Sequence, residues 1–172
     1  MANKEALREL QARLADRLHA ARTQPRGASW LAVECGGRGL LLPLGEAGEI
    51  FALAALVPVA HVKPWFLGVA NLRGGLHGVV DLAAFLGFER PGRGRDEARL
   101  VAFNAALDTN CALLVDRLAG LRSAEQLSPD TELAQPLPPF VGARFRDDAG
   151  RRWQELRLSA LAREDAFLTI VG

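Results

Sequence analysis

The alternation of polar and apolar positions changes rhythm near residue 29, and that change divides the chain. Before it, Leu7, Leu10, Leu14 and Leu18 recur at spacings of three, four and four, the repeat of one helical face. Arg8, Glu9, Arg13, Asp16 and Arg17 fill the remaining positions. The pattern predicts a helix over 3–22, with Asn3 as N-cap because its side-chain oxygen can accept from an orphan backbone N–H. The leucine stripe is expected to pack on the chain's own domain. A docking helix or a short coiled coil with another protein is the alternative. Pro25, Arg26 and Gly27 end the helix and serve as a linker.

From Ser29 the apolar runs shorten. Ser29–Glu34 and Gly39–Leu42 flank Gly36, Gly37 and Arg38 and predict a hairpin. Leu44–Ile50, carrying Glu46 and Glu49, reads as a strand or an irregular extended segment, and Val57–Pro64, with two prolines, as a loop. Phe66–Ala70 and Leu76–Leu82 are separated by Asn71, Leu72, Arg73 and the Gly74–Gly75 pair. Glycine enters positive φ without a Cβ clash, so this stretch predicts a second hairpin. Leu82–Gly87 reads as a helical turn closed by Gly87, and Glu89–Glu97 as an exposed connector whose arginines face compensating Glu89, Asp96 and Glu97. Apolar runs follow at Ala98–Ala105, Cys111–Leu118 and Phe140–Phe145. Asp147–Gly150 is then a turn into Arg152–Leu158, and Ser159–Phe167 a helix capped by Ser159. Short strands, Gly/Pro punctuation and helices mainly at the ends predict an all-β fold, a barrel or a pair of barrels.

Composition narrows the chemistry. The 172 residues suit one domain or two small subdomains sharing a core, and 49% hydrophobic residues can fill it. Lys plus Arg number 21 against 20 acids, a net charge of +1, which argues against a generic nucleic-acid or anionic-membrane surface. Cys35 and Cys111 are too few for a disulfide framework and read as buried apolar filler. His19, His61 and His77 have no metal-ligand spacing, so neither metal nor cofactor is expected. The charged N-terminus and the lack of any run near ~18 apolar residues predict a cytoplasmic chain without membrane insertion.

Catalysis finds little support. There is no G-x-S-x-G elbow and no P-loop. Asp81 and Asp116 end apolar strands and are expected to accept hydrogen bonds from turn N–H groups. His77 shares a strand face with Val79 and Asp81 and reads as a hydrogen-bonded structural histidine. Trp30, Trp65 and Trp153 read as core. Arg73 stands out as the only charge between Lys63 and Asp81, either a solvated turn residue or a recognition handle. Glu49 is its candidate ion-pair partner; otherwise both charges are independently solvated.

Here the wording becomes recognisable. Glu49–Ile50, the run Leu67–Gly68–Val69–Ala70–Asn71–Leu72–Arg73–Gly74 and the ending Val79–Val80–Asp81–Leu82 resemble the motifs of the CheW family of chemotaxis coupling proteins. Leu113–Leu118 is similar to that family's Val-Asp-x-Val strand. The likeness runs from Trp30 to about Leu168, dividing the chain into a helical extension and linker, 1–28, and a CheW-like domain, 29–172. Gly78 stands where the family usually has proline, and His77 at a position normally apolar. The extension, together with the Trp65–Gly74 wording, resembles the branch serving type IV pilus twitching motility. The resemblance implies two five-stranded SH3-like barrels around a shared core, with N- and C-terminal helices and neither catalysis nor cofactor. It implies an adaptor bridging a chemoreceptor's cytoplasmic tip to the regulatory domain of a CheA-like histidine kinase, at polar, membrane-associated receptor arrays. By family position, Glu49, Ile50, Asn71, Leu72 and Arg73 are receptor-binding, and Gly68, Gly74 and Asp81 support the hairpin and its interface. A free-standing CheW-like module that binds another signalling protein is the alternative.

Overall fold

Unbroken apolar runs in a chain of short strands mean that both faces of those strands are buried, and the structure shows where each face goes. It is a computed structural model describing residues 2–23, 28–89, 96–130 and 137–172, with side chains in the first segment described for 4–15. Eleven strands are present among the described residues: β1 Ser29–Cys35, β2 Arg38–Pro43, β3 Ala47–Ala52, β4 Phe66–Leu72, β5 Gly75–Asp81, β6 Arg99–Phe103, β7 Cys111–Val115, β8 Arg117–Ser123, β9 Leu127–Pro129, β10 Val141–Asp147 and β11 Arg152–Leu156. The helices are α1 Ala2–Thr23, α2 Leu82–Phe85, α3 Leu158–Leu161 and α4 Asp165–Leu168.

The strands form a six-stranded sheet, β8-β1-β2-β11-β10-β9, and a five-stranded sheet, β3-β6-β7-β5-β4. The result is an all-β fold of two subdomains, one sheet carrying the three-residue β9 as a sixth member. Each sheet encloses its own apolar cluster. Trp30, Ala32, Leu41, Leu127 and Trp153 fill the first, and Ala70, Leu72, Val79, Leu100, Ala112 and Leu114 the second. A third cluster, including Leu31, Val33, Leu40, Val101, Leu113 and Val115, lies on the opposite faces of strands from both sheets. The alternation is strict in β7, where Cys111, Leu113 and Val115 join the shared core while Ala112 and Leu114 face their own sheet's interior. Cys35 and Cys111 are both buried in the shared core.

The subdomains do not follow chain order. β3 to β7 make the five-stranded sheet, whereas β1 and β2 pair with strands from the C-terminal part. The joint is a parallel pairing of β2 with β11, Gly39 opposite Trp153. A Cβ on Gly39 would lie 2.6 Å from Trp153 Cε3, so glycine lets the indole lie flat against the neighbouring backbone. The apolar run Cys111–Leu118 is cut at Asp116: β7 belongs to one sheet and β8 to the other. Asp116 fixes the crossing, its N–H donating to the Glu34 carbonyl at 2.9 Å and its carboxylate accepting from Gly36 N–H at 2.8 Å.

Four expectations change. α1 already contains Asn3, which is therefore not its N-cap. Leu7, Leu10 and Leu14 are 56%, 55% and 51% exposed, so this part of the stripe does not pack on the domain; the side chain of Leu18 lies outside those described. Ser159–Phe167 is two separate turns, α3 and α4. Ser159 is inside α3 rather than capping it, and its N–H donates to Glu46 Oε1 at 3.2 Å. A carboxylate from a distant loop thus does the cap's work. The linker 25–27 and connector residues 90–95 lie outside the described residues.

Candidate functional site

The β4–β5 hairpin ends in a two-residue turn. Leu72 pairs with Gly75, leaving Arg73 and Gly74 at φ 46° and 76°. Positive φ at both central residues is the primed geometry that matches strand twist. Gly74 occupies it freely, and Gly75 already belongs to β5. Arg73 does not, because a Cβ in the left-handed region costs on the order of 1 kcal/mol. A strained arginine at an exposed hairpin tip points to a role for its guanidinium.

That guanidinium pairs, through Nη2, with Glu49 Oε1. Glu49 sits on β3 and the tip joins β4 and β5, so the contact links opposite edges of the five-stranded sheet. The side chains are 77% and 41% exposed, so the pair contributes about 0–1 kcal/mol to stability. Its effect is to hold the guanidinium over β3. The outer side of β4 is paired in turn with the segment that follows β3, by a bridge between Val57 and Val69 with N–H···O distances of 2.8 and 2.9 Å. Gly68, at φ 134°, makes room for that crossing, since a Cβ there would run into the Val57 carbonyl.

The other candidates divide by exposure. Asn71 and Gly74 are exposed and Ile50 is 38% exposed. Leu72 is 3% exposed within the barrel interior, so its side chain faces the core and not a partner. Asp81 is buried and caps α2, accepting from Ala84 N–H at 3.3 Å. His77 Nδ1 lies 3.1 Å from the Gly75 carbonyl, within its own hairpin. Gly78 keeps a regular strand. Its N–H donates to the Asn110 carbonyl at 3.0 Å, which proline could not do, and a Cβ would press on the Phe66 ring at 3.0 Å.

A second polar centre lies at the end of β1. Glu34 accepts from Arg117 Nε and Nη2, each at 2.8 Å, and from Arg151 Nη1 at 2.6 Å. The Arg117 hydrogen bonds outweigh the cost of burial and, with Arg151, hold the Glu34 carboxyl down at about 2. Arg151 stacks on Trp153, 4.5 Å from the ring centroid, and lines a groove of about 890 Å³. Trp65, Phe85, Phe88, Phe140 and Leu156 give the groove apolar walls, and Arg38, Arg144, Arg152 and Lys63 give it further positive charge. Glu164 is the only carboxylate among its described lining residues.

A double sheet with this hairpin invites comparison, and residues 29–166 match the CheW-like domain. The chain belongs to the CheW-like family. Protein PilI of Pseudomonas aeruginosa is 32% identical over 164 residues, covering 92% of this chain and 88% of that protein. The crystal structure of scaffolding protein TtCheW from Thermoanaerobacter tengcongensis aligns with a TM-score of 0.63 at 16% identity, over 76% of this chain and 88% of that one. At that identity the structural likeness speaks for the fold.

Within this CheW-like domain the tertiary structure brings Glu49 and Arg73 together, as their isolation among apolar residues suggested. Sequence reading missed Glu34, Glu46 and the cationic groove. Glu34 closes an apolar run, a weak signal, and its partners Arg117 and Arg151 lie 83 and 117 residues away. Among the described residues no group of three or more acidic, His or Cys side chains is arranged to hold a metal, and no helix is long and apolar enough to cross a membrane.

Proposed function

We propose that this chain is a non-enzymatic adaptor coupling the cytoplasmic tip of a chemoreceptor to the regulatory domain of a histidine kinase, in a system that controls type IV pilus twitching motility. The observation that carries this reading is Arg73, held at positive φ on an exposed tip and oriented by Glu49, at the family's motif positions. Around it the barrel presents apolar side chains to solvent. Ile50 follows Glu49, Leu76 lies opposite Asn71, and Val57 borders β4; Leu76 and Val57 are both 64% exposed. Such anchors supply affinity for a receptor helix tip, and the arginine fixes its register. Leu72, Gly68 and Asp81 act from beneath, and Gly74 within the turn itself, by shaping the hairpin. A separate surface takes the kinase domain, and signal passes only if the adaptor binds the kinase's states with different affinity. The 32% identity to Protein PilI supports the pilus assignment.

The test is calorimetric titration of the full chain with a receptor-tip fragment and with the kinase regulatory domain from the same organism. Asn tolerates the left-handed region better than Ala, so Arg73→Asn removes the guanidinium while sparing the turn. Micromolar binding to both partners is expected, with Arg73→Asn weakening the receptor arm about tenfold and leaving the kinase arm unchanged. A folded protein that binds neither partner sinks the adaptor reading in favour of a free-standing module.

A further inference from the structure

The exposed face of α1 carries more than leucines. At about 100° per residue, Leu7, Leu10, Leu14 and Leu18 form one narrow seam. Lys4 and Arg8 border it on one side and Arg13 on the other, with Arg22 and Arg17 continuing those flanks by register. Glu5, Glu9 and Asp16 fall opposite the seam. Every residue from Lys4 to Ala15 is exposed, and the ion pair within that stretch from Arg13 Nη2 to Glu9 Oε1, at 3.4 Å, is itself solvated. The helix thus presents an apolar stripe flanked by cations on both sides.

We propose that α1 is a docking helix for a partner protein's helix whose own apolar seam is flanked by carboxylates. A narrow leucine seam with charged flanks is the arrangement of paired helices, in which flanking charges choose the partner. Those charges oppose the other occupants. A second copy of α1 would bring cation against cation along both flanks. The groove on the domain is itself rimmed by Arg38, Arg144, Arg151 and Arg152 and repels the helix. A bilayer surface favours a broad apolar face with aromatic anchors, and α1 has no aromatic residue. Along 4–15, where every side chain is exposed, α1 relies on local helix propensity, so pairing also stabilises the helix itself.

The test uses the full chain and two synthetic helical peptides of about 20 residues, one with leucine at seam positions and glutamate on the flanks, the other with lysine replacing each glutamate. By fluorescence anisotropy the glutamate peptide is expected to bind at least about tenfold tighter at low salt, the gap closing as salt rises. Leu10→Gln with Leu14→Gln abolishes binding, and Arg13→Glu with Arg17→Glu reverses the preference. Failure of the glutamate peptide to bind, or equal binding of both peptides, overturns the proposal. So does a dimer in sedimentation, or partition onto phosphatidylglycerol vesicles, that is lost with the leucine substitutions. The substituted residues lie on α1, outside the strands that form the barrel cores, so domain melting is expected to be unaffected and the Arg73 titrations remain an independent test.

Discussion

The Glu34 centre makes a prediction whose size follows from its geometry. Glu34→Gln keeps the shape and one carbonyl acceptor but removes the charge that Arg117 and Arg151 share. Their hydrogen bonds depress the carboxyl from 4.5 to about 2, which at ~1.4 kcal/mol per pH unit sets a ceiling of about 3 kcal/mol. The Glu34 side chain is only 20% exposed, but both arginines reach water, so screening lowers the expected loss to about 1–2 kcal/mol. A depressed carboxyl stabilises the fold fully above its unfolded value and progressively less as pH falls toward the folded one. The gap between wild type and Glu34→Gln is therefore constant above about pH 5.5, shrinks from about pH 4.5 and closes near pH 2. Urea denaturation at a series of pH values, followed by Trp fluorescence, measures it. A gap of unchanged size at pH 3 would mean that the charge is not the source of the stability. No gap at pH 7 would mean that desolvation cancels the pair.

Two further outcomes are expected. Gly39→Ala places a Cβ 2.6 Å from Trp153 Cε3 in a closed core and lowers stability by about 1–3 kcal/mol; Gly45→Ala, with no atom within 4 Å, stays within about 0.5 kcal/mol. Equal thermal melting of the two variants would refute the close packing of β2 against β11. Burial pushes the Cys111 thiol up to about 12, and Cys35 is fully buried. A thiol-reactive dye at about pH 8 should therefore label neither in the native protein and both in denaturant, and rapid native labelling of either refutes the shared-core placement.

The sequence by itself determined the local elements and the motif. The 3–4–4 leucine spacing specified α1, the glycine turns specified the β1–β2 and β4–β5 hairpins, and the isolation of Arg73 among apolar residues marked it before any contact was visible. These features are short-range: periodicity and permitted φ are properties of neighbouring residues. The tertiary structure decided what depends on long-range pairing. It split Cys111–Leu118 between two sheets at Asp116, joined β2 to β11 across more than half the chain, and turned Leu72 inward while leaving Arg73 outside. It left Leu7, Leu10 and Leu14 in solvent, though an amphipathic stripe reads the same whether its partner is the domain or another molecule. It gave Ser159's capping role to Glu46 and gathered Glu34, Arg117 and Arg151 from three separate segments. Strand pairing and ion pairing carry no sequence periodicity of their own, so they become visible only when the closed sheets bring distant residues to one place.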